Sequence, residues 1–169
     1  MSPGSLLPKG QAVQLICPQS PDELVSSRII FRAYANAVAV PECFQDFEQE
    51  LESLPGEYAA PRGQLLIALV LDVVVGCCAL RPLDNVDYAD ACEMRRLYVD
   101  PAHRGSGVGR ALAEAQLDFA RINGYRCVLL DTLSDMEAAR ALYDELGFEE
   151  IPPYYFNPMA GAHYLKAEL

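Results

Sequence analysis

A glycine-rich segment in the second half of the chain carries the residues best suited to chemistry, Arg104-Gly105-Ser106-Gly107-Val108-Gly109-Arg110. Three glycines within five positions allow the backbone to turn sharply and to approach a ligand closely. The segment stands between a predicted strand and a predicted helix, and a helix start presents unpaired N–H groups and a positive dipole end. The pattern therefore predicts a site for anions, especially phosphates, to which Arg104 and Arg110 add cationic donors.

The spacing of these glycines departs from two common phosphate-binding motifs. A dinucleotide fingerprint needs Gly-x-Gly-x-x-Gly, and its third glycine would fall on Arg110 or Leu112. This departure argues against a nucleotide-dependent oxidoreductase. A Walker loop is excluded because no Gly-Lys-Ser or Gly-Lys-Thr is present. The spacing alone leaves open a glycine-rich turn that binds no ligand.

Composition limits the class of protein. The chain has 169 residues, of which 51% are hydrophobic and 22% charged, as expected for one globular domain spanning residues 1–169. Its formal net charge of −11 argues against nucleic acid or an anionic membrane as a partner, because both attract basic surfaces. No apolar run approaches the roughly 18–20 residues of a spanning helix, and the N-terminus lacks a signal-peptide pattern. We therefore expect a cytoplasmic protein.

Metal chemistry has little support in the sequence. The six cysteines include no Cys-x-x-Cys pair and only two histidines occur, so we predict no metal site. Most of the cysteines lie in apolar stretches such as residues 74–80, which indicates small buried thiols in a reducing compartment. A serine or cysteine hydrolase is disfavoured because neither histidine lies beside a recognisable nucleophile motif.

The elements that position the glycine-rich segment form a mixed pattern. Their predicted order is strand, two helices, three strands, helix, strand, helix and two strands. Two of the strands, at residues 64–71 and 73–81, are joined by a tight turn near Asp72, which implies antiparallel pairing. The strand-helix-strand unit over residues 92–131 implies one parallel pair. We therefore predict an α/β fold with a mixed, mainly antiparallel twisted sheet of about six to seven strands flanked by about four helices.

Capping residues mark the ends of the predicted helices. They are Ser20 with Glu23 and Ser134 with Glu137 as capping boxes at helix starts, and Gly124 and Gly147 at helix ends.

Two segments of the chain resemble the GNAT superfamily of N-acetyltransferases. The family signature for acetyl-coenzyme A is Arg/Gln-x-x-Gly-x-Gly/Ala after a strand ending in Val-x-Pro, and it is met by Arg104, Gly107 and Gly109. A second run resembles the family's Ala-x-x-Leu-Tyr-x-x-x-Gly-Phe helix end, through Ala138, Ala139, Leu142, Tyr143, Leu146, Gly147 and Phe148. The order of elements also matches along nearly the whole chain, so the resemblance implies the GNAT-like acyl-CoA N-acyltransferase fold.

The resemblance implies acetyl-CoA as the cofactor. Its pyrophosphate is expected on backbone N–H groups of the glycine-rich segment, with contacts from Arg104, Gly105, Ser106, Gly107, Val108, Gly109 and Arg110. The pantetheine arm is expected to pair like an extra strand along Leu97, Tyr98 and Val99. The family opens its sheet beside this strand, often at a bulge, and the acetyl group enters the gap. A backbone N–H near Leu97 or Tyr98 would then stabilise the developing oxyanion.

The resemblance also implies two catalytic side chains. Tyr143 matches the tyrosine that protonates the leaving coenzyme-A thiolate, with a core aromatic at helical spacing as the alternative. Glu93 lies four residues before Leu97, where some members carry a glutamate base that acts directly or through water. The alternative for Glu93 is a solvated or salt-bridged strand glutamate, paired for example with Arg95.

The acceptor pocket is the least specified part of the site. The regions that build it in the family contain Phe31, Tyr34, Tyr58, Tyr154, Tyr155 and Asn157. Arg81, Arg95 and Thr132 could recognise a carboxylate, which favours an amino-acid-like acceptor. An acidic run between residues 42 and 57 could instead steer a cationic amine, or could be a solvated helix face.

These observations favour an acetyl-CoA-dependent N-acetyltransferase that acts by direct attack in a ternary complex. A small-molecule amine is the expected acceptor, and a peptide or protein amine is the second candidate. A non-catalytic acyl-CoA-binding or sensing domain is the alternative from another class, although such a binder needs neither Tyr143 nor Glu93. A homodimer is possible, and the sequence does not decide it.

Overall fold

A computed structural model describes residues 6–7, 11–38, 44–133, 136–156 and 161–169. Four helices and nine strands lie within these ranges, with 3₁₀ turns at Gly56–Tyr58 and Pro101–His103. The helices are α1 (Pro21–Val38), α2 (Phe44–Ser53), α3 (Val108–Ile122) and α4 (Glu137–Glu145). The strands are β1 (Leu6–Leu7), β2 (Gln11–Ala12), β3 (Gln14–Ile16), β4 (Gln64–Val70), β5 (Val73–Leu83), β6 (Ala91–Val99), β7 (Cys127–Leu133), β8 (Glu149–Ile151) and β9 (Ala162–Glu168).

Seven of the strands form one sheet in the order β3-β4-β5-β6-β7-β9-β8. Neighbouring strands of this sheet pair antiparallel except β6 and β7. These two strands pair parallel and are connected along the chain by α3. The predicted tight turn lies at Leu71 and Asp72, whose φ angles of 50° and 65° give the doubly left-handed turn that suits the twist of a hairpin. The mixed, mainly antiparallel sheet with four helices confirms the predicted fold class.

Alternating apolar residues along the strands build a separate core on each face of the sheet. Leu66, Cys78, Met94 and Leu130 pack with side chains of α3 and α4 on one face. Ile67, Cys77 and Ala79 pack with side chains of α1 and α2 on the other. Successive strand residues point to opposite faces of the sheet. The helices on each face therefore pack on alternate residues of the same strands.

Local signals set the helix ends where the sequence predicted them. At the start of α1 the Glu23 amide donates to Ser20 Oγ, and the Ser20 amide donates to Glu23 Oε1, each at 3.1 Å. Gly124 and Gly147 have φ angles of 82° and 91° after α3 and α4, so both predicted glycine ends are confirmed. The predicted cap Ser134 lies outside the described residues.

The central strand β6 has two irregularities that position the site. Cys77 pairs with Tyr98 and Ala79 with Arg95, so two β6 residues, Arg96 and Leu97, stand opposite one β5 residue and form a bulge. The parallel pairing with β7 covers Ala91–Glu93, beyond which the strands separate. The sheet therefore opens next to the bulge.

Within the described ranges, no helix has the length and apolar content required to cross a membrane. The same ranges contain no group of three or more His, Cys, Asp or Glu side chains placed to hold a metal ion.

Candidate active site

A cavity of about 780 Å³ occupies the opening between β6 and β7. Arg95 and Leu97 line it from β6, and Asp131 and Leu133 line it from β7. Tyr58 reaches it from the α1/α2 core, whereas Tyr143 reaches it from the α3/α4 core. The cavity therefore joins the two faces of the sheet, and two substrates entering from opposite faces would meet inside it.

The glycine-rich segment connects β6 to α3 and includes the start of the helix. Gly105 and Gly107 adopt φ angles of 78° and 90°, which favour glycine, and a Cβ at either position would meet no other atom within 4 Å. The first hydrogen bond of α3 runs from the Ala111 amide to Gly107 O at 3.0 Å. The amides of residues 108–110 consequently have no carbonyl of their own helix to bind, as an anion site at a helix start requires.

The two arginines of this segment hold its ends. Arg104 Nε donates to Val99 O at 2.9 Å, and the guanidinium lies 5.6 Å from the centre of the Tyr98 ring. Arg110 pairs with Glu145 and with Glu114. Arg104 therefore folds back on β6, while the charge of Arg110 is partly offset by acidic neighbours.

The bulge residue Arg96 is held by contacts on all sides. It has a φ angle of 61°, and its guanidinium donates to both carboxylate oxygens of Glu50 on α2 at 2.9 and 2.8 Å. The rings of Tyr34 and Phe47 lie 5.5 and 5.4 Å from the guanidinium carbon. Cys77 Sγ donates to the Arg96 carbonyl at 3.2 Å. Burial alone would raise the pKa of Glu50, but the hydrogen bonds and charge of Arg96 hold it below its usual value.

Tyr143 presents a protonated hydroxyl to the cavity. Its side chain is 6% exposed and packs edge-to-face on Phe148 at 5.5 Å between ring centres. Burial raises its pKa well above the usual value, and the charge of Asp131 adds to this effect. The hydroxyl is therefore protonated at neutral pH.

Glu93 lies beside the cavity and is fully engaged by its neighbours. Its side chain is 2% exposed, and Oε1 accepts from Arg81 Nε at 2.8 Å. Oε2 accepts from the Tyr154 hydroxyl at 2.7 Å, and Arg95 Nε lies 3.6 Å from Oε1. The ion pair with Arg95 that the sequence left open is present at this longer distance, and the closer partner is Arg81.

A sequence model of the acetyltransferase (GNAT) family matches residues 31–148, well over half of the chain. The chain belongs to the acetyltransferase (GNAT) family. This membership makes it an acyltransferase and confirms the family that the glycine-rich segment and the Leu-Tyr helix end predicted.

Relatives of this GNAT protein match along most of its length. An uncharacterized N-acetyltransferase of Schizosaccharomyces pombe is 29% identical over 162 residues, which cover 95% of this chain and 98% of the relative. The uncharacterized N-acetyltransferase YjgM of Escherichia coli is 30% identical, with 80% of this chain and 86% of the relative covered. An acetyltransferase of Salmonella typhimurium, solved with acetyl-CoA, has the same fold, with a TM-score of 0.66 and 20% identity over 92% of this chain and 93% of its own.

The structure brings together most of the side chains that the sequence assigned to the acceptor. Six of them line the cavity: Tyr34, Tyr58, Arg81, Arg95, Thr132 and Tyr155. Phe31 does not, because it is 0% exposed in the α1/α2 core, where its ring meets Tyr58 edge-on at 6.4 Å. Tyr154 lies behind the wall, bound to Glu93, and Asn157 lies outside the described residues.

Five charged residues of the wall were missed as individual site residues by sequence reasoning: Asp46, Glu50, Glu57, Arg96 and Asp131. Asp46, Glu50 and Glu57 stood within the acidic run, which gave no indication of which members face the sheet. Asp131 ends the apolar run 128–130, and an acid at that place in a buried strand was a usable signal. Arg96 had none, because a bulge depends on the register of two strands.

Proposed function

We propose that this protein is an acetyl-CoA-dependent N-acetyltransferase that acetylates a primary amine of a small molecule in a ternary complex. The observation that carries the proposal is the cavity in the opening between β6 and β7, with Tyr143 on its wall. A chain that only bound acyl-CoA would need an anion site but no buried proton donor at the point where the strands part. The free thiols buried at Cys77, Cys78, Cys92 and Cys127 suit the cytoplasm, where we place the reaction.

The cosubstrate contacts follow from the local backbone. The pyrophosphate binds the amides of Gly105, Ser106, Gly107, Val108, Gly109 and Arg110. Arg104 lies at the β6 end of this segment, where its side chain binds Val99 O. The pantetheine arm lies along Leu97–Val99, on the side of β6 that has parted from β7. The acetyl group thereby enters the cavity, where a backbone N–H near the bulge, at Leu97 or Tyr98, stabilises the oxyanion.

The protein's part in the reaction is to move two protons. The acceptor enters as an ammonium ion and loses a proton to Glu93 through water, since Glu93 stands beside the wall. The amine nitrogen then bonds to the thioester carbonyl carbon, the carbon–sulfur bond breaks, and the sulfur leaves with the bonding electrons. Tyr143 supplies the proton that converts the thiolate to a thiol, and the second proton that leaves the nitrogen restores the Tyr143 hydroxyl. The balance is ammonium plus acetyl-CoA giving amide, CoA thiol and one released proton.

Calorimetry with acetyl-CoA, followed by thiol release with a panel of amines, tests the proposal. We expect saturable binding and thiol release that depends on the amine. Binding without release from any alkylamine, amino acid or peptide would favour the sensing domain instead. Absence of binding by a demonstrably folded sample would refute the assignment of residues 104–110. NADH serves as the control ligand, because tight binding of NADH would favour a nucleotide-dependent oxidoreductase instead.

A further inference from the structure

The arginines on the cavity wall are occupied by carboxylates of the chain itself. Arg81 binds Glu57 at 2.6 Å and Glu93 at 2.7 Å. Arg96 donates to both oxygens of Glu50. A carboxylate on the acceptor would have to displace one of these internal partners to reach either guanidinium.

The charge of Arg95, the third arginine of the wall, is also offset by carboxylates of the chain. Arg95 donates to the Tyr58 hydroxyl at 3.1 Å and lies 3.6 Å from both Glu50 and Glu93. An incoming anion at Arg95 would therefore approach two carboxylates as it approached one guanidinium. In a partly buried site this repulsion is not screened as it would be in water.

The charges around the cavity sum to a negative value. Its described wall holds three guanidinium groups and four carboxylates, Asp46, Glu50, Glu57 and Asp131. Glu93 adds a fifth carboxylate directly behind Arg81. The formal balance favours a cationic occupant over an anionic one.

Among the carboxylates of the described cavity wall, Asp131 is the one that lies on a strand bordering the opening, since the others lie on α2 and in the 3₁₀ turn at Gly56–Tyr58. Leu129 pairs with Glu93, the last pairing between β6 and β7, and Asp131 follows two residues later on the same face of β7. The Tyr155 hydroxyl donates to Asp131 Oδ2 at 2.5 Å, which fixes the carboxylate on the wall. Asp131 and Tyr143 line the same cavity, so a cation bound at Asp131 lies within the reaction chamber.

Resting on the proposed function, we propose that Asp131 binds the ammonium group of the acceptor, and that the acceptor is a small amine without a carboxylate, preferably a diamine. One ammonium pairs with Asp131, and a second cationic group meets Asp46, an exposed carboxylate of α2 that lines the same cavity. This assignment separates two tasks: Asp131 holds the ammonium, and Glu93 takes its proton.

Three acceptors of equal chain length test the substrate class directly. They are butylamine, 1,4-diaminobutane and 4-aminobutanoate, which differ at the far end by a methyl group, an ammonium and a carboxylate. We expect kcat/KM to fall from the diamine to the monoamine to the amino acid, with at least about tenfold between first and last. Equal or better use of 4-aminobutanoate would overturn the inference while leaving the transferase in place.

The variant Asp131→Asn tests the residue. It should raise KM for 1,4-diaminobutane about tenfold or more, with a smaller effect on kcat and none on the acetyl-CoA Kd. The control is Asp118→Asn, an exposed aspartate of α3 that pairs with Arg121. An unchanged KM in Asp131→Asn would overturn the assignment. If that variant fails to fold, Asp131→Glu takes its place, and it should change the preference between diamine and monoamine by altering the reach of the carboxylate.

The proposed function and the inference about Asp131 would be overturned by different results. Acetyl-CoA binding without thiol release from any of the three amines or from the wider panel would overturn the proposed function, and the inference with it. Thiol release that favours carboxylate-bearing acceptors would overturn the inference alone.

Discussion

Glu50 on α2 accepts a hydrogen bond from Arg96 on each carboxylate oxygen, and Arg96 is the residue at which β6 bulges away from its regular ladder. The φ angle of 61° at Arg96 is costly for a residue with a side chain, by about 1–2 kcal/mol. The ion pair and the flanking rings of Tyr34 and Phe47 hold the side chain while the backbone adopts this conformation. The helix on the acceptor side of the cavity is thus tied to the backbone expected to bind the acyl donor.

Breaking this pair on one side should destabilise the fold strongly. Glu50→Met or Arg96→Met alone leaves a charge without its partner at a site where both side chains are 16% exposed. We expect each to lower the free energy of unfolding by about 3 kcal/mol, and the double variant to lose less than either single one. Urea denaturation measures all three.

The matched control is the exposed pair of Arg32 and Glu48, which joins α1 to α2 with side chains 53% and 43% exposed. Removing either partner there should cost about 1 kcal/mol or less. Equal losses at the two pairs would show that Glu50 and Arg96 have no special role in holding the bulge.

Two alanine substitutions at the start of α3 should have opposite effects on stability. Gly107→Ala places a side chain at a φ angle of 90° and should destabilise by about 1–2 kcal/mol, although the space around it is open. Gly109→Ala lies within the helix, where its Cβ would meet Val99 Cγ2 at an ordinary 3.6 Å, and should be neutral or stabilising. The urea denaturation midpoints of the two variants measure these effects. A loss of stability in Gly109→Ala as large as that in Gly107→Ala would contradict the conformational explanation.

Tyr143→Phe should separate binding from turnover. Phenylalanine keeps the ring contact with Phe148 but removes the proton for the leaving thiolate. We expect kcat to fall at least about tenfold while the acetyl-CoA Kd is unchanged. Steady-state kinetics and calorimetry measure the two quantities, and an unchanged kcat would remove Tyr143 as the acid.

Glu93→Gln should change the dependence of rate on pH. If Glu93 takes the proton of the acceptor, its amide variant should shift the rise in activity to higher pH, because only free amine then reacts and its fraction grows as pH rises. Since Glu93 is bound by Arg81 and Tyr154, the variant must first be shown to unfold at a similar urea concentration. A folded variant with the parent rate and pH profile would require another base.

Local sequence signals predicted the parts of the fold that depend on few residues. The box of Ser20 and Glu23, the ends at Gly124 and Gly147 and the turn at Asp72 each need only neighbours in the chain. The conformation of the glycine-rich segment was predictable for the same reason, since its amides belong to one helix start.

The acceptor side depends on register and was predicted less well. Arg81 meets Glu93 because β5 and β6 pair those two residues, and no short-range pattern contains that pairing. Phe31 shows the converse, because helical spacing does not reveal whether a buried aromatic faces a cavity or a core. The charge of the cavity is a sum over several elements, which explains why its arginines suggested an anion site in the sequence.

The most direct test of the account is the product balance of one reaction, followed by mass spectrometry of the amine and by thiol release in the same sample. With acetyl-CoA and 1,4-diaminobutane, we expect one acetylated amine for each thiol released, and no release when the amine is omitted. Thiol release without acetylated amine would mean hydrolysis, and acetyl-CoA that binds but stays intact with every amine would contradict the transferase itself.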